Sequence, residues 1–469
     1  MNVEASQMER LSLQGETQIE KEYIGRTRKS QLFDETACRY LPGGSTRSAT
    51  DSHPYPIYME SGNGCTLCDV DGNTYIDFMN NYTVLMLGHA HPKVNEAIAE
   101  QLGHGILFGA PSQNQYQLGQ LMCERVASVE KVRFCNTGTE AVMYALRAAR
   151  AVTGRNKVIK MEGGFHGNTE QVEISVSPNI ALAGPAERPI PLPDTQGITD
   201  GVLQDVLVAP YNNIEATQRI IEKHKEDVAA VIIEPVMGYS GMIPADKAFL
   251  AFLREITTRY GIVLVFDEII SFRLSRGGAQ ETYGVRPDLT TFGKIIGGGL
   301  PIGAFGGRED IMDIFSPKRD HPMHHSGTFN GNTLTMAAGI SALNEIDTDL
   351  IGDINGLGYQ LRERLQHVFD RTGIRGQVTG VGSLMNVHFS TQEVRDVRTA
   401  KADWDSALPL RDLLNLALKN HGIYTPRRVM LCISSPMGEK ETETVLGAFE
   451  DSLDQLKPVI QTYCPELLT

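Results

Sequence analysis

The fold is decided by residues 291–307, which read TFGKIIGGGLPIGAFGG. A single lysine, Lys294, follows an apolar strand pattern and precedes three consecutive glycines. The stretch is not a phosphate-binding P-loop, because that motif requires serine or threonine after its lysine and Ile295 stands there. A lysine in an apolar setting loses its proton more easily and becomes an amine nucleophile. The alternative is a lysine in a surface loop, which the flanking isoleucines and glycines disfavour.

Outward from this stretch, helical and strand patterns alternate along the chain. Helical patterns cover 93–103, 115–127, 139–152, 215–226 and 246–259, and apolar strand patterns cover 132–135, 157–160, 228–234, 261–268 and 289–292. Such alternation predicts an α/β fold in which a mostly parallel sheet lies between layers of helices.

The two ends of the chain show a different pattern. Residues 57–78 are typical of short antiparallel strands joined by a turn at 71–73, and strand patterns return at 384–389 and 429–434 between helical patterns at 355–370 and 439–457. We therefore predict a smaller α+β domain built from both chain ends. The predicted divisions are a flexible tail at 1–25, the N-terminal part of the small domain at 26–85, the large domain at 86–339, and the C-terminal part of the small domain at 340–469.

Composition and charge exclude several classes of protein. Lys and Arg number 43 against 57 Asp and Glu, so the 469-residue chain carries a net charge of −14. This acidity argues against nucleic acid or an anionic membrane as a partner. No apolar run approaches the ~18 residues of a membrane helix, and the N-terminus lacks a signal-peptide core. Seven irregularly spaced cysteines predict a reducing, cytoplasmic setting, in which Cys65 and Cys68 are ordinary strand residues and no metal site is expected.

Three further clusters follow predicted strands, where the active sites of open α/β sheets lie. The turn at 136–139 opens a helix whose N-terminus could bind a phosphate, although a plain N-cap is the alternative. Phe165 stands among glycines and could stack on a flat ligand, or it could be a core residue in a glycine-rich turn. Asp267 ends a buried strand and requires a cationic partner there, or it serves a metal or a salt bridge.

Together with Lys294, these clusters supply the parts needed to hold pyridoxal 5′-phosphate (PLP). They provide a phosphate cradle, an aromatic residue for ring stacking, a carboxylate and a Schiff-base lysine. The carboxylate would keep the pyridine nitrogen protonated, so that the ring acts as an electron sink.

The motifs NTGTEA, GFHG, DEI and GKIIGGGLPIGAFGG resemble those of the class III aminotransferases of PLP fold type I, over roughly residues 35–455. The resemblance implies that Lys294 forms the Schiff base and that Asp267 contacts the pyridine nitrogen. It implies a homodimer with shared active sites, in which Thr328 reaches the phosphate of the neighbouring subunit. The implied cofactor-binding residues are Thr137, Gly138, Thr139, Phe165, His166, Glu234, Asp267, Ile269, Lys294 and Thr328.

Two branches of this family resemble the chain closely. The stretch 293–307 is similar to glutamate-1-semialdehyde 2,1-aminomutase, whereas PGGSTRS at 42–48 and TFN at 328–330 look like the β-amino acid transaminases. The second resemblance implies that Arg47 and Arg428 each bind a substrate carboxylate by a bidentate fork, with Tyr82 also at the substrate. Arg427, next to Arg428, is the alternative for the second arginine.

The function predicted from these motifs is PLP-dependent transamination by a ping-pong route. The amino group of a β-amino acid, with an aromatic one as a candidate, would pass to an α-keto acid such as 2-oxoglutarate or pyruvate. The aminomutase is the alternative of the same fold. A decarboxylase or racemase, and a non-catalytic protein of the PLP fold, are the more distant alternatives.

Overall fold

A computed structural model describes residues 17–469. The helices are α1 Gln18–Arg26, α2 Arg28–Ala37, α3 Pro92–His104, α4 Gln113–Arg125, α5 Gly138–Thr153, α6 Asp200–Gln204, α7 Ile214–His224, α8 Lys247–Tyr260, α9 Ala279–Tyr283, α10 Glu309–Met312, α11 Thr333–Glu345, α12 Thr348–Thr372, α13 Val397–Ala400, α14 Trp404–Asn420 and α15 Glu439–Tyr463. The strands are β1 Met59–Asn63, β2 Thr66–Asp69, β3 Thr74–Asp77, β4 Lys131–Cys135, β5 Lys157–Met161, β6 Val206–Ala209, β7 Val228–Ile233, β8 Val236–Met237, β9 Ile243–Pro244, β10 Val263–Asp267, β11 Leu289–Gly293, β12 Gly303–Gly307, β13 Gly376–Val381, β14 Leu384–Phe389, β15 Ile423–Tyr424 and β16 Met430–Cys432.

Seven strands form the large sheet, in the order β4-β12-β11-β10-β7-β5-β6. Neighbouring strands pair in parallel except at β12, which runs antiparallel to both β11 and β4. This mostly parallel sheet within a mixed α/β chain confirms the predicted fold class. Because the parallel strands share one direction, β7, β10 and β11 all end at the same edge of the sheet, where a site can be assembled.

Both faces of the large sheet are buried. Alternate residues of β7 pack into two different hydrophobic cores. Val231 and Ile233 pack in the core that contains Phe249 of α8. Ala230 and Ile232 instead pack in the core that contains α5. A strand buried on both faces reads as a continuous apolar run, which is why the sequence pattern locates it well.

Two smaller sheets contain the ends of the chain. One has the order β1-β2-β3-β15, in which β15 pairs in parallel with β3 although the two strands are far apart in sequence. The turn predicted at 71–73 joins β2 and β3 in an antiparallel pair. The other is an antiparallel sheet of β13, β14 and β16. The predicted division of the chain into domains stays a prediction.

The expected flexible tail covers residues 1–25, of which residues 1–16 lie outside the described part of the chain, and the expectation is wrong for residues 18–25. Residues 18–25 belong to α1, which Thr17 caps. The Thr17 hydroxyl accepts a hydrogen bond from the Glu20 N–H, and the Glu20 carboxylate accepts one from the Thr17 N–H. Tyr23 is 1% exposed and donates a hydrogen bond to the Tyr55 carbonyl. The cap and this buried side chain stabilise a helix whose weak amphipathic pattern concealed it.

Most predicted helices of the large sheet begin and end within three residues of the observed ones, but α12 begins seven residues before the predicted start at 355. Strand β12 was not predicted because three of its five residues are glycine. Glycine is required at Gly303, since a Cβ there would lie 1.9 Å from the Thr137 carbonyl oxygen. In residues 17–469, none of the helices has the length and apolar character needed to span a membrane.

Candidate active site

Lys294 lies where β11 ends and begins a short 3-10 turn, with a left-handed φ of +53°. Burial lowers its pKa to about 8, although the carboxylates of Glu234 and Asp267 act in the opposite direction. The guanidinium of Arg428 adds to the lowering. These surroundings favour the neutral amine that a nucleophile requires, and they do not fit a lysine in a solvated surface loop.

Asp267 ends β10 and is 3% exposed. One carboxylate oxygen lies 2.8 Å from Nδ1 of His166, and the other accepts hydrogen bonds from the Thr291 hydroxyl at 3.1 Å and the Ile269 N–H at 3.2 Å. Burial lowers the pKa of His166, so its ring is neutral near pH 7 and donates through Nδ1–H. The carboxylate is therefore held in place by three donors and can accept a further hydrogen bond from a cationic ligand group.

Glu234 follows β7 and is buried. Its two carboxylate oxygens accept hydrogen bonds from the backbone N–H groups of Phe165 at 2.8 Å and Gly238 at 3.0 Å. Burial and the nearby Asp267 raise the pKa of Glu234 to about 8, against the lowering effect of these hydrogen bonds and of Lys294. Glu234 thus anchors the loop that carries Phe165 and lies within the electrostatic reach of Lys294.

The turn before α5 carries a capping box. The Thr137 hydroxyl accepts a hydrogen bond from the Glu140 N–H, and the Glu140 carboxylate accepts from the N–H groups of Asn136 and Thr137. The plain N-cap was the alternative to a phosphate site, and it is present. It does not exclude the site, because the N–H groups of Gly138 and Thr139 precede the first intrahelical bonds and remain available to an anion.

The residues predicted to lie on either side of the cofactor ring are Ile269 and Phe165. A Cβ on Gly138 would lie 2.5 Å from Cδ1 of Ile269, so Ile269 packs directly against the turn before α5. The Phe165 ring stacks on the ring of Tyr239, with centroids 5.6 Å apart and an interplanar angle of 25°. Phe165 is only partly buried, which favours a ligand-facing residue over the core residue of the alternative interpretation.

Arg428 and Arg427 have different surroundings. The Arg428 guanidinium lies over the Tyr239 ring, 3.9 Å from its centroid, and Nη1 donates to the Tyr239 carbonyl at 2.5 Å. Burial lowers the pKa of Arg428, and Tyr82 and Glu234 are among the groups that oppose this lowering. Arg427 instead forms a two-pronged ion pair with Asp412, at 2.6 and 2.7 Å. Of the two arginines, Arg428 is the one that the structure brings to the site.

Arg47 lies at the start of the short turn Ser48–Thr50. Its Nη1 donates to Oδ1 of Asn81 at 2.8 Å, and its guanidinium carbon lies 5.0 Å from the centroid of the Tyr82 ring. The Tyr82 hydroxyl donates to the Ala49 carbonyl at 2.6 Å. Both Arg47 and Arg428 lower the pKa of Tyr82 against the raising effect of burial, so both guanidinium groups lie within electrostatic reach of Tyr82.

Thr328 lies on the loop before α11 and is exposed. The loop is attached to the rest of the site through Asn330, whose Oδ1 accepts a hydrogen bond from Nδ2 of Asn136 at 2.8 Å. His325 anchors the same loop by packing edge-on against Tyr144, with ring centroids 4.4 Å apart. The loop is therefore held next to the turn before α5, with Thr328 pointing away from the core.

Sequence analysis missed two residues of this site. Tyr239 contacts both Phe165 and Arg428, and Asn81 contacts Arg47. Tyr239 could have been found, because it follows the carboxyl end of β7 by a few residues, where ligand-binding residues collect. Asn81 has no comparable sequence signal, since its role depends on an unusual backbone conformation.

The family model for class-III aminotransferases matches residues 47–429. The chain is 39% identical over 432 residues to a glutamate-1-semialdehyde 2,1-aminomutase of Methanothermobacter thermautotrophicus, covering 92% of this chain and 100% of the relative.

The chain is also similar to solved structures of transaminases. An omega-transaminase from Sphaerobacter thermophilus is 42% identical, with a TM-score of 0.87 and coverage of 91% of this chain and 98% of that one. A beta-phenylalanine aminotransferase from Variovorax paradoxus is 36% identical, with a TM-score of 0.85 and coverage of 94% and 97%. The chain is thus similar in sequence to enzymes of two different activities.

Proposed function

Because the chain belongs to the class-III aminotransferase family, we propose that it transfers the amino group of a β-amino acid to an α-keto acid. The chain is a PLP-dependent enzyme of this family, and its substrates are small amino and keto acids.

The residues present fit PLP. The N–H groups of Gly138 and Thr139 suit its phosphate, and the absence of a side chain at Gly138 lets Ile269 pack against the turn that carries these N–H groups. The charged carboxylate of Asp267 suits the protonated pyridine nitrogen. Phe165 and Ile269 supply apolar contacts for a flat ring. When bound, PLP supplies an electron sink for the substrate carbon that bears the amino group.

Lys294 performs the proton transfers in this proposal. Its pKa of about 8 leaves an appreciable fraction of neutral amine near neutral pH, and this amine is first the nucleophile that holds the cofactor. Once the substrate amine has displaced it, Nζ of Lys294 would accept the proton from the substrate carbon that bears the amino group and deliver it to C4′ of the cofactor. Glu234 and Asp267 lie close enough to stabilise the ammonium form in between.

One observation carries the choice of substrate: the site holds two guanidinium groups on different aromatic rings, with Arg47 over Tyr82 and Arg428 over Tyr239. The carboxylate of a β-amino acid lies one carbon further from its nitrogen than that of an α-amino acid. Two arginines at different positions can meet both geometries. We assign Arg47 to the carboxylate of the β-amino acid and Arg428 to that of the α-keto acid, each by a bidentate contact.

The second candidate is a glutamate-1-semialdehyde 2,1-aminomutase. Its support is the 39% identity to such an enzyme over 92% of this chain. An aminomutase keeps the amino group within one substrate and needs no keto acid. Conversion of glutamate-1-semialdehyde without an added acceptor would therefore favour this candidate.

The proposed active unit is a homodimer in the cytoplasm. Thr328 is exposed on a loop held next to the turn before α5, as a residue that reaches the phosphate of a second subunit requires. The described cysteines are all free thiols, which suits a reducing compartment. A fully active monomer in sedimentation at assay concentration would contradict the dimer.

The two half-reactions test the assignment of the arginines. Loss of the absorbance of the aldehyde form with a panel of α- and β-amino acids identifies the donors. Arg47→Ala should slow donation by a β-amino acid about a hundredfold while affecting reamination less, and Arg428→Ala should do the reverse, since losing one partner of a charge pair that the bound substrate covers costs roughly 2–5 kcal/mol. Equal damage to both half-reactions by both variants would contradict the division of roles.

A further inference from the structure

Residues 80–83 form a left-handed turn built without glycine. The φ angles of Asn80, Asn81, Tyr82 and Thr83 are +48°, +48°, +56° and +76°. Residues other than glycine rarely adopt this left-handed backbone conformation, and asparagine tolerates it best. Four such residues in succession persist only where the surroundings hold them, and strained segments of this kind cluster at functional sites.

The surroundings hold this turn at both ends. At its start, the Asp77 carboxylate accepts hydrogen bonds from the N–H groups of Met79 and Asn80, both at 2.9 Å. The Asn80 side-chain amide donates to the Cys432 carbonyl at 2.8 Å. At its end, buried Arg273 donates to the Thr83 carbonyl at 3.4 Å. The turn is thus tied to β3, to β16 and to the short 3-10 turn Ser271–Leu274.

The two middle residues face the candidate substrate site. Oδ1 of Asn81 accepts a hydrogen bond from Nη1 of Arg47 at 2.8 Å, and the Tyr82 ring lies under the same guanidinium. The left-handed backbone of the turn places both side chains against Arg47. The contact occupies Nη1 and leaves the edge formed by Nε and Nη2 for a carboxylate.

We propose that Asn81 is a positioning residue that fixes the guanidinium of Arg47 for the carboxylate of the amino donor. The inference rests on the proposed role of Arg47. An arginine on an exposed loop has many rotamers, and a bidentate contact uses only one of them. Asn81 and the Tyr82 ring together restrict Arg47 before the substrate arrives, so that less conformational freedom is lost on binding.

The test uses Asn81→Gly in the PLP-loaded enzyme. Glycine adopts the left-handed conformation readily, so the substitution removes the amide oxygen without straining the turn. Loss of a hydrogen bond to a charged group should raise KM for a β-amino acid roughly tenfold. It should raise the dissociation constant of hydrocinnamate, a carboxylate without the amino group, by a similar factor in calorimetry. KM for the α-keto acid should change less than about twofold, because Arg428 binds it.

Thr83→Gly is the matched control, because it adds the same backbone freedom to the same turn and leaves the acceptor of Arg47 in place. It should leave hydrocinnamate binding within about twofold of wild type. Equal weakening by both glycine variants would show that rigidity of the turn, and not the amide of Asn81, is what matters, and would overturn the proposal. So would an Asn81→Gly enzyme with wild-type affinity for hydrocinnamate.

Arg47→Ala separates this inference from the proposed function. If Arg47→Ala spares hydrocinnamate binding, the assignment of Arg47 itself fails. If Arg47→Ala weakens binding and Asn81→Gly does not, only the role of Asn81 fails. In the Arg47→Ala background, Asn81→Gly should add less than about twofold, because a residue that acts through Arg47 has no effect without it. An additive loss in the double variant would contradict the proposal.

Discussion

Replacing Lys294 by methionine should stabilise the cofactor-free protein. Methionine has a similar length and carries no charge, so Lys294→Met removes the need to bury an ammonium group. The pKa of Lys294 is lowered from its usual 10.5 to about 8 by burial. That difference corresponds to about 3.5 kcal/mol of unfolding free energy, at about 1.4 kcal/mol for each factor of ten.

The gain should depend on pH in a defined direction. Between pH 8 and 10.5 the unfolded chain holds a proton on this lysine that the folded chain has lost, so the stability of the wild-type protein rises with pH in that window. Below pH 8 both states hold the proton and the full cost of burial is present. The variant lacks this slope, so its advantage should be largest near pH 7 and should disappear towards pH 10.5.

Urea unfolding of the two cofactor-free proteins from pH 7 to 10 measures this advantage. Lys223→Met is the matched control, because Lys223 is exposed in the last turn of α7 and its replacement should change stability by less than about 0.5 kcal/mol. Parallel pH profiles for wild type and Lys294→Met would refute the reasoning, since they would show that the amine is as well solvated in the folded protein as in the unfolded chain.

Two further substitutions test contacts next to the site. Arg398→Ala should lower the unfolding free energy by about 3 kcal/mol in urea titrations, because it leaves the buried Glu162 carboxylate without its ion-pair partner. The Glu162 carboxylate is 3% exposed and accepts from the Arg398 guanidinium at 2.7 and 2.9 Å. A cost below about 1 kcal/mol would mean that water replaces the pair. Arg427→Ala should leave KM for both substrates within about twofold in steady-state kinetics, because the Arg427 guanidinium pairs with Asp412. It should cost up to about 1 kcal/mol of unfolding free energy, because this ion pair is partly exposed. A selective rise in KM for the keto acid would show that the wrong arginine was assigned.

The large sheet and the residues at its edge could be predicted from sequence because their physical causes are local. Strands β7 and β10 are buried on both faces and appear as continuous apolar runs. A lysine or an aspartate directly after such a run must lie at the carboxyl edge of the sheet. Predicting the place of Lys294 and Asp267 therefore required no knowledge of tertiary contacts. In the structure they lie at the ends of the neighbouring strands β11 and β10, as expected.

The remaining features depend on contacts between distant parts of the chain. Strand β12 forms because its glycines let it pass beneath the Thr137 carbonyl, which no local propensity for strands encodes. Arg427 and Arg428 are neighbours in sequence, and only the position of Asp412 on α14 separates their roles. The left-handed turn at 80–83 is held by residues from β3, from β16 and from the short turn Ser271–Leu274, so its sequence alone does not indicate it.

The costly features of the fold concentrate where the ligands are proposed to bind. Burial raises the pKa of Glu234 and lowers that of Lys294, so each group is held in surroundings that disfavour its charge. The strained turn that carries Asn81 adjoins them, whereas the cores on both faces of the large sheet are apolar and closely packed. A fold can keep such features only if packing elsewhere offsets them or a ligand relieves them on binding. The site is therefore the part of the molecule whose stability should respond most to PLP and to carboxylate ligands, and the same unfavourable charges that weaken the empty site make its amine reactive.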